Sequence, residues 1–393
     1  MVLNNTLLKR AMIQLRRSAL MSAQKKRKLQ RKDAVLVEAC AKLAKADRNA
    51  SEGGHALVVG DFSVNNGLGR AARYDIAAVK GQHASLTMFD LTLKKFVSGP
   101  GSQLFDTTYF FCQPDRLVAV ADLLDETCIS ASYRIGRWVW ETPIFPKEWL
   151  NAQSVVHEVW TPSQFCADTF RTALNVPVKI VPHHVSPPVA NDINMRERFG
   201  IANDAFMGVA IMDLRSCPPR KNLLDHVRTW KLAFGRDVSA PFIIKARTSK
   251  RTSVDVEEAM LEADNFSNIR FVTNDFSDEE IASLQHSCNV YVSLHRAEGF
   301  GLNIMEALLL NKPVLATDWS ANSEYGPLFD TYLPVPFDLV PYEDWTHSYS
   351  DGDFRWAAPR VDEAAALLRK LRLQYANIAL GFKYEVQRGL ATD

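Results

Sequence analysis

Two glutamates, Glu298 and Glu306, stand eight residues apart across a glycine-bearing loop, Glu298-Gly299-Phe300-Gly301-Leu302. An apolar run precedes the loop (Val290 to Leu294), a helix-period stretch follows it (Leu302 to Leu310), and a second apolar run closes the unit (Pro313 to Thr317). Strand, glycine loop, helix, strand is a βαβ unit, and the helix N-terminus in such a unit offers free N–H groups and a partial positive charge to an anion. Eight residues along a helix rise about 12 Å, whereas carboxylates that work jointly on one glycosidic bond lie about 5–9.5 Å apart. The pair is therefore expected to grip the two ends of one elongated ligand, with its anionic middle at the amides of Gly299 to Leu302. A sugar nucleotide has that shape.

A second constellation lies upstream. Arg215 and Lys221 follow the apolar run FMGVAIMDL (206–214) and precede the helical stretch NLLDHVRTWKLAF. Loops at the C-terminal ends of parallel strands face the crevice where ligands bind, so two cations there could hold a diphosphate in place of a metal. As isolated residues they read equally well as solvated loop bases. Gly67 and Gly69 follow another apolar strand, ALVVGDF (56–62), and open a helix. They allow close backbone approach, but the full GxGxxG pattern is absent, and a tight turn explains them as readily as a ligand.

These residues need a scaffold, and the chain supplies strands alternating with helices of 10–15 residues from residue 56 onward. Strands are expected at 56–62, 84–91, 107–113, 133–141, 158–163 and 178–185, then at 206–214, 241–247 and 268–273. The Pro-rich stretch 186–192 reads as a linker between two halves. This alternation predicts an α/β protein with two Rossmann-like domains of parallel sheet. Its 393 residues suit two domains of ordinary size. Boundaries are placed at 1–50, 51–187, 188–375 and 376–393, with the last piece a helix crossing back to the first domain.

The net charge of +1 conceals an asymmetry. Residues 1–50 carry thirteen lysines and arginines against Asp33, Glu38 and Asp47, and the other 343 residues hold 33 basic and 42 acidic side chains. A basic, partly amphipathic helical arm is expected there, densest in bases at Lys25 to Lys32. It suits the surface of an anionic membrane; a solvated leader and nonspecific nucleic-acid contact are the competing readings. The arm lacks the apolar core of a signal peptide, and no apolar run is long enough to span a bilayer. The six cysteines are scattered without CxxC spacing and read as buried free thiols. Asp351-Gly352-Asp353 falls among turn residues rather than after a strand, and His183-His184 lacks metal-site spacing and carboxylate company. No metal is expected.

The stretch HRAEGFGLNIMEALLLNKPVLATD resembles the donor-site signature of retaining GT-B glycosyltransferases, most closely glycosyltransferase family 4. The similarity extends to NNGLGRAAR (65–73), RWVWETPIFPKEW (137–149), EVWTPSQF (158–165), VPHHV (181–185) and LRSCPPRKN (214–222), and leaves the basic arm outside. The resemblance implies two Rossmann-like domains facing a cleft and metal-independent transfer from a nucleotide-diphosphate sugar, with no other cofactor. Glu298 would contact the donor sugar, Glu306 the ribose, and Arg215 with Lys221 the diphosphate, while Gly67 and Gly69 would let the first domain close over the donor. Many family members carry a first-domain histidine near the reaction centre. Here the matching strand end reads Trp-Val-Trp-Glu, which leaves Glu141 as the candidate acceptor-side polar group. A mannose- or glucose-type donor, a bacterial surface-glycan acceptor such as lipopolysaccharide core or exopolysaccharide, and a place on the cytoplasmic face of the membrane are the expectations. A nucleotide-sugar epimerase on the same fold and a non-catalytic nucleotide-sugar-binding protein are the alternatives.

Overall fold

The structure is a computed structural model that describes residue 6 and residues 8–19, 32–45, 54–99, 104–130, 132–346, 348–349 and 353–379. The basic run at Lys25 to Lys32 lies almost wholly outside the described residues. So do Asp351 and Gly352, and the chain beyond residue 379.

The first sheet has seven strands: β1 (His55–Gly60), β2 (Ser85–Asp90), β3 (Lys95–Ser98), β4 (Thr107–Phe111), β5 (Tyr133–Arg137), β6 (Glu158–Thr161) and β7 (Val178–Ile180). Their order is β3-β2-β1-β4-β5-β6-β7, parallel except for the edge strand β3, which runs antiparallel to β2. The second sheet is wholly parallel: β8 (Gly208–Asp213), β9 (Phe242–Arg247), β10 (Ile269–Val272), β11 (Val290–Ser293), β12 (Val314–Thr317) and β13 (Tyr332–Val335). Its order is β10-β9-β8-β11-β12-β13. Helices cover both faces, so the central strands are buried on both sides; β4 is buried at all five positions, and β1 at all but its first.

The strand order reverses between β1 and β4 in the first sheet and between β8 and β11 in the second. Ligands of open α/β sheets bind outside the carboxyl ends of strands at such a switch point. The loops after β8 and β11 carry Lys221 and Glu298, so the topology brings the two sequence constellations together.

Among the helices, α3 (Gly67–Lys80) follows β1, and α4 (Leu117–Leu123) and α5 (Glu126–Ser130) precede β5. Further along lie α6 (Gln164–Arg171), α7 (Met195–Arg198), α8 (Pro218–Lys221), α9 (Leu223–Phe234), α10 (Ser253–Ala263) and α11 (Asp278–Ser287). Ser277 and Glu280 form the expected capping box of α11. The set ends with α12 (Leu302–Leu309), α13 (Asn322–Tyr325) and α14 (Val361–Ala379).

Two expectations change. First, the N-terminal segment is not a detached object where it is described. Residues 8–19 are helical (α1), and Arg17 pairs with Asp255 at 2.6 Å and Glu258 at 2.5 Å on α10, while Arg10 pairs with Glu262 at 3.2 Å. The next helix, α2 (Lys32–Lys42), buries Leu36 and Cys40, together with the following Leu43, in the first unit's core. Second, the loop RSCPPRK contains a helical turn: Pro218 and Pro219 occupy the first positions of α8, where a missing N–H costs nothing. The crossing helix expected at 376–393 lies almost wholly outside the described residues; α14 packs on α9 of the second unit through Ala364, Leu368 and Leu371. The stretch before α14 reaches the first unit through Tyr349, Phe354 and Trp356, which join the core containing Trp140. It is framed by an antiparallel ribbon, β14 (Phe337–Pro341) with β15 (Arg355–Pro359).

Candidate active site

The two sheets face each other across a cleft enclosing a cavity of about 320 Å³. Its walls include Gly67, Arg70, Glu141 and His183 from the first unit, and Lys221, Glu298 and Gly299 to Leu302 from the second.

Glu298 leaves β11 on a loop held by backbone and side-chain hydrogen bonds. Its amide donates to Ser320 Oγ at 2.8 Å, and the Gly299 carbonyl accepts from Ser163 Oγ at 2.9 Å. The Glu298 carboxylate pairs with Lys221 Nζ and lies 3.1 Å from Arg220 Nη1. Burial alone would raise its carboxyl; Lys221 and Arg220 outweigh burial and hold it at about 2. It is a fixed anion whose charge is already balanced by two cations. A diphosphate entering beside it would compete with Glu298 for both.

Gly301 caps α12 with φ of 85° in the left-handed region, and no side chain caps the helix there. Glycine takes that conformation freely, so the first turn of α12 opens toward the cavity with uncommitted positive potential. Gly299 has a different reason. A Cβ there would meet Val139 Cγ1 at 2.4 Å and the Trp140 carbonyl at 3.2 Å, so only glycine lets this loop touch the first unit.

Glu306 is buried on α12 and is bound from across the cleft: Tyr74 Oη donates at 3.0 Å and Arg70 Nε lies 3.2 Å away. Burial raises its carboxyl despite Arg70, and one of its oxygens lacks a hydrogen-bond partner. Glu298 therefore lines the cavity, whereas Glu306, paired with Arg70, is buried behind it and is not among the lining residues.

Arg215 is placed otherwise. It turns back on Asp213, with Nη2 2.6 Å from the carboxylate, is about two-fifths exposed, and is not among the cavity-lining residues. Arg220, which the sequence reading passed over, is the buried one. Its Nη1 donates to the Ala297 carbonyl at 2.8 Å, and its Nη2 lies 3.3 Å from Glu141. Two consecutive prolines starting a short helix were the available signal, because they put residues 220 and 221 in a fixed helical turn. Glu141 does line the cleft, as the strand-end reading expected, and its partner is Arg220.

Gly67 lines the cavity, whereas Gly69 serves packing: a Cβ there would meet the Val64 carbonyl at 2.2 Å. The Gly69 amide is already taken by Asn66 Oδ1 at 2.8 Å, the N-cap of α3. The remaining surprise is His183. Contrary to the sequence reading it has carboxylate company, with Nδ1 2.8 Å from Asp75 Oδ2, and it lines the cavity. Asp75 ends the run GRAARYD after the glycine loop, and its contact with His183 joins residues 108 apart that no local pattern signals. Among the described residues no cluster of three or more His, Cys, Asp or Glu side chains could hold a metal ion. All six cysteines are free, five of them buried. No described helix is long and apolar enough to cross a membrane.

Residues 251–326 match the family described as glycosyl transferases group 1, a span that contains Glu298, Gly301 and Glu306. No curated protein matches the chain. Among solved structures, the Anabaena HepE structure in complex with UDP and glucose aligns at a TM-score of 0.53 and 14% identity, covering 84% of this chain and 100% of that one. A glycosyltransferase from Rickettsia africae aligns at 0.53 and 11%, covering 83% and 94%. The sucrose-phosphate synthase of Thermosynechococcus elongatus aligns at 0.52 and 11%, covering 84% and 98%. At such identities the likeness establishes the fold.

Two facing sheets with a charged cleft at both switch points define an α/β protein of GT-B type. Within that fold, residues 251–326 carry the match to glycosyl transferases group 1.

Proposed function

We propose that the chain moves a mannose- or glucose-type sugar from a nucleoside-diphosphate sugar to a bacterial surface-glycan acceptor, with retention and without a metal. The observation that carries this reading is the grouping of Lys221, Arg220 and the open N-terminus of α12 around Glu298. Lys221 and the α12 amides would take the diphosphate; Arg215, now held by the cavity-lining Asp213, would swing from it to join them. Glu298 would then accept hydrogen bonds from hydroxyls of the sugar, and Glu306 from the ribose, once Arg70 and Tyr74 yield. As the glycosidic bond breaks, charge develops on the leaving diphosphate, and the fixed cations and helix amides stabilise it where it forms. The acceptor would enter from the first unit beside Glu141. Closure of the two units, with the Ser163–Gly299 contact as part of it, would exclude water and so suppress hydrolysis of the donor.

HepE was solved with UDP-glucose, which supports UDP-sugars as first donors to try. Membrane docking through residues 1–50 rests on the bases at Lys25 to Lys32 and on the exposed stripe Leu8, Met12 and Leu15. The α1 arginines already paired with α10 do not serve it. The test is a thermal-shift screen of GDP-, UDP- and ADP-sugars, followed by incubation of the stabilising donor with glycan and glycolipid acceptors. A product with the donor's anomeric configuration supports the reading. A free sugar isomer formed without acceptor would instead mark an epimerase, and tight donor binding with no turnover a binding protein.

A further inference from the structure

His183 is a buried imidazole that the reading above does not use. It is 7% exposed, follows β7, and lines the cleft cavity. Two groups fix one side of its ring. Asp75 Oδ2, from α3, lies 2.8 Å from Nδ1, and Arg137 Nη2, from the end of β5, lies 3.0 Å from the same nitrogen and 3.3 Å from Asp75 Oδ1; a guanidinium only donates, so with the proton on Nδ1 the Nη2 hydrogen goes to the Asp75 carboxylate and not to the ring. Arg137 is itself committed to Asp75, with Nε 2.7 Å from Oδ2, and it donates to the Val181 carbonyl. An Asp75 carboxylate held by a guanidinium is an acceptor, so Nδ1 carries the proton and donates to it. Nε2 is left with its lone pair, and it has no partner among the described residues. The ring stands edge-on to Phe300, centroids 4.9 Å apart, in the loop that carries Glu298.

A histidine serving only to pack would not need a carboxylate–guanidinium pair to choose its tautomer. That arrangement is how a protein aims one lone pair at a ligand. We propose that His183 is a sugar-contacting residue, its Nδ1–H held by Asp75 and its Nε2 accepting a hydrogen bond from a hydroxyl of the hexose bound beside Phe300. The proposal rests on the nucleotide-sugar reading of the cleft. A neutral ring suits this task. Burial and then Arg137 lower the imidazole's affinity for a proton, against the opposing pull of Asp75, and protonation would turn the acceptor into a donor. Asp75 stays ionised because His183 and Arg137 outweigh the effect of its own burial. Asp75 and Arg137 are the charged groups that act on His183 directly, Phe300 packs edge-on to its ring, and Arg70, Glu141, Lys221 and Glu298 line the same cavity.

The test uses the full chain and its best donor, with His183→Phe, which keeps a ring against Phe300, and His183→Gln, which keeps polarity without titration. Calorimetry compares the nucleoside diphosphate with its sugar derivative, and transfer is followed from pH 5 to 8 with a series of monodeoxy donors. In His183→Phe, nucleoside-diphosphate affinity is expected within about twofold of wild type, while the affinity added by the sugar falls about tenfold, one hydrogen bond's worth. One deoxy donor that the wild type disfavours about tenfold should become equivalent to its parent. The wild type should lose transfer on acidification below its ordinary imidazole range, and both variants should lack that limb. Unchanged sugar affinity and unchanged deoxy discrimination in both variants would overturn the assignment, as would equal losses for the diphosphate with and without its sugar. If the wild type bound nucleotides but gained nothing from any attached sugar, the nucleotide-sugar reading itself would fall. That outcome is seen before any variant is compared.

Discussion

The Arg220 guanidinium lies 3.1 Å from a carboxylate oxygen of Glu298, and its other terminal nitrogen reaches Glu141 at 3.3 Å. One buried cation therefore ties the donor-side glutamate to the opposite wall of the cleft. Removing one partner of a buried ion pair leaves a desolvated charge, at a cost of about 3–5 kcal/mol. Arg220→Met is expected to lose stability on that scale in chemical denaturation and to lose transfer. Arg215→Met, whose side chain is partly solvated on Asp213, should cost less than about 1 kcal/mol and act mainly on donor KM.

The contact between the units can be tested at Gly299. Gly299→Ala drives a methyl to within 2.4 Å of Val139 Cγ1 and against the Trp140 carbonyl. The loop and the strand end cannot then meet as they do. Overpacking of this kind costs about 1–3 kcal/mol, and here it falls on closure rather than on either core. Transfer should drop about tenfold or more, with nucleotide binding to the second unit retained and hydrolysis of the donor relatively increased. Product analysis with and without acceptor measures that ratio.

His226 predicts an acid limb in stability. Its Nε2 accepts from the Leu294 amide at 2.9 Å, and its Nδ1 lies 3.0 Å from the Asn222 carbonyl, so the neutral ring is built into the loop ahead of Glu298. Burial pushes it down to about 4 from an ordinary 6.5. The unfolded chain takes up a proton below 6.5 that the fold refuses until about 4. Stability from this group is full above 6.5 and lost as pH falls through that window, by about 3 kcal/mol. Denaturation curves at pH 7 and 4.5 measure the loss, and His226→Phe should be less stable at pH 7 but flatter between the two.

Arg17 predicts the opposite slope. Asp255 is pushed up to about 6 by burial, with Arg17 pulling against that rise. A raised carboxyl favours the fold below its ordinary value of 3.8 and loses that contribution as pH rises through about 6. Arg17, which also lies 5.5 Å over the Trp345 ring, offsets the loss. Arg17→Met should therefore be close to wild type near pH 4 and less stable by about 3 kcal/mol above pH 6, as read by thermal or urea denaturation at the two pH values.

The alternation of strands and helices, the Glu298–Glu306 loop and the strand-end position of Glu141 were legible because each is a local pattern with a local physical cause. The capping box at Ser277 and Glu280 was readable for the same reason. Arg220 and Arg215 were not separable by sequence, since the choice turns on where a two-proline turn aims its last two side chains. His183 was hidden because its partner Asp75 is distant in the chain and its role depends on a tautomer. The fate of the basic N-terminal residues was also invisible: twelve residues of helix pattern do not say that Arg10 and Arg17 will find acids on α10, some 240 residues away. The edge strand Lys95–Ser98 and the ribbon β14–β15 were missed because short exposed strands carry little apolar periodicity.

The central claim is that Glu298 grips the sugar of a nucleotide donor while Lys221, Arg215 and the α12 amides hold its diphosphate. Glu298→Gln keeps the shape and removes the charge. The most direct measurement is kcat/KM for sugar transfer in this variant, alongside its affinity for the nucleoside diphosphate alone. Transfer is expected to fall about 100-fold or more, roughly 2.7 kcal/mol of transition-state stabilisation, with diphosphate affinity unchanged or raised as Lys221 and Arg220 are freed. Undiminished transfer by Glu298→Gln from every accepted donor would contradict the account.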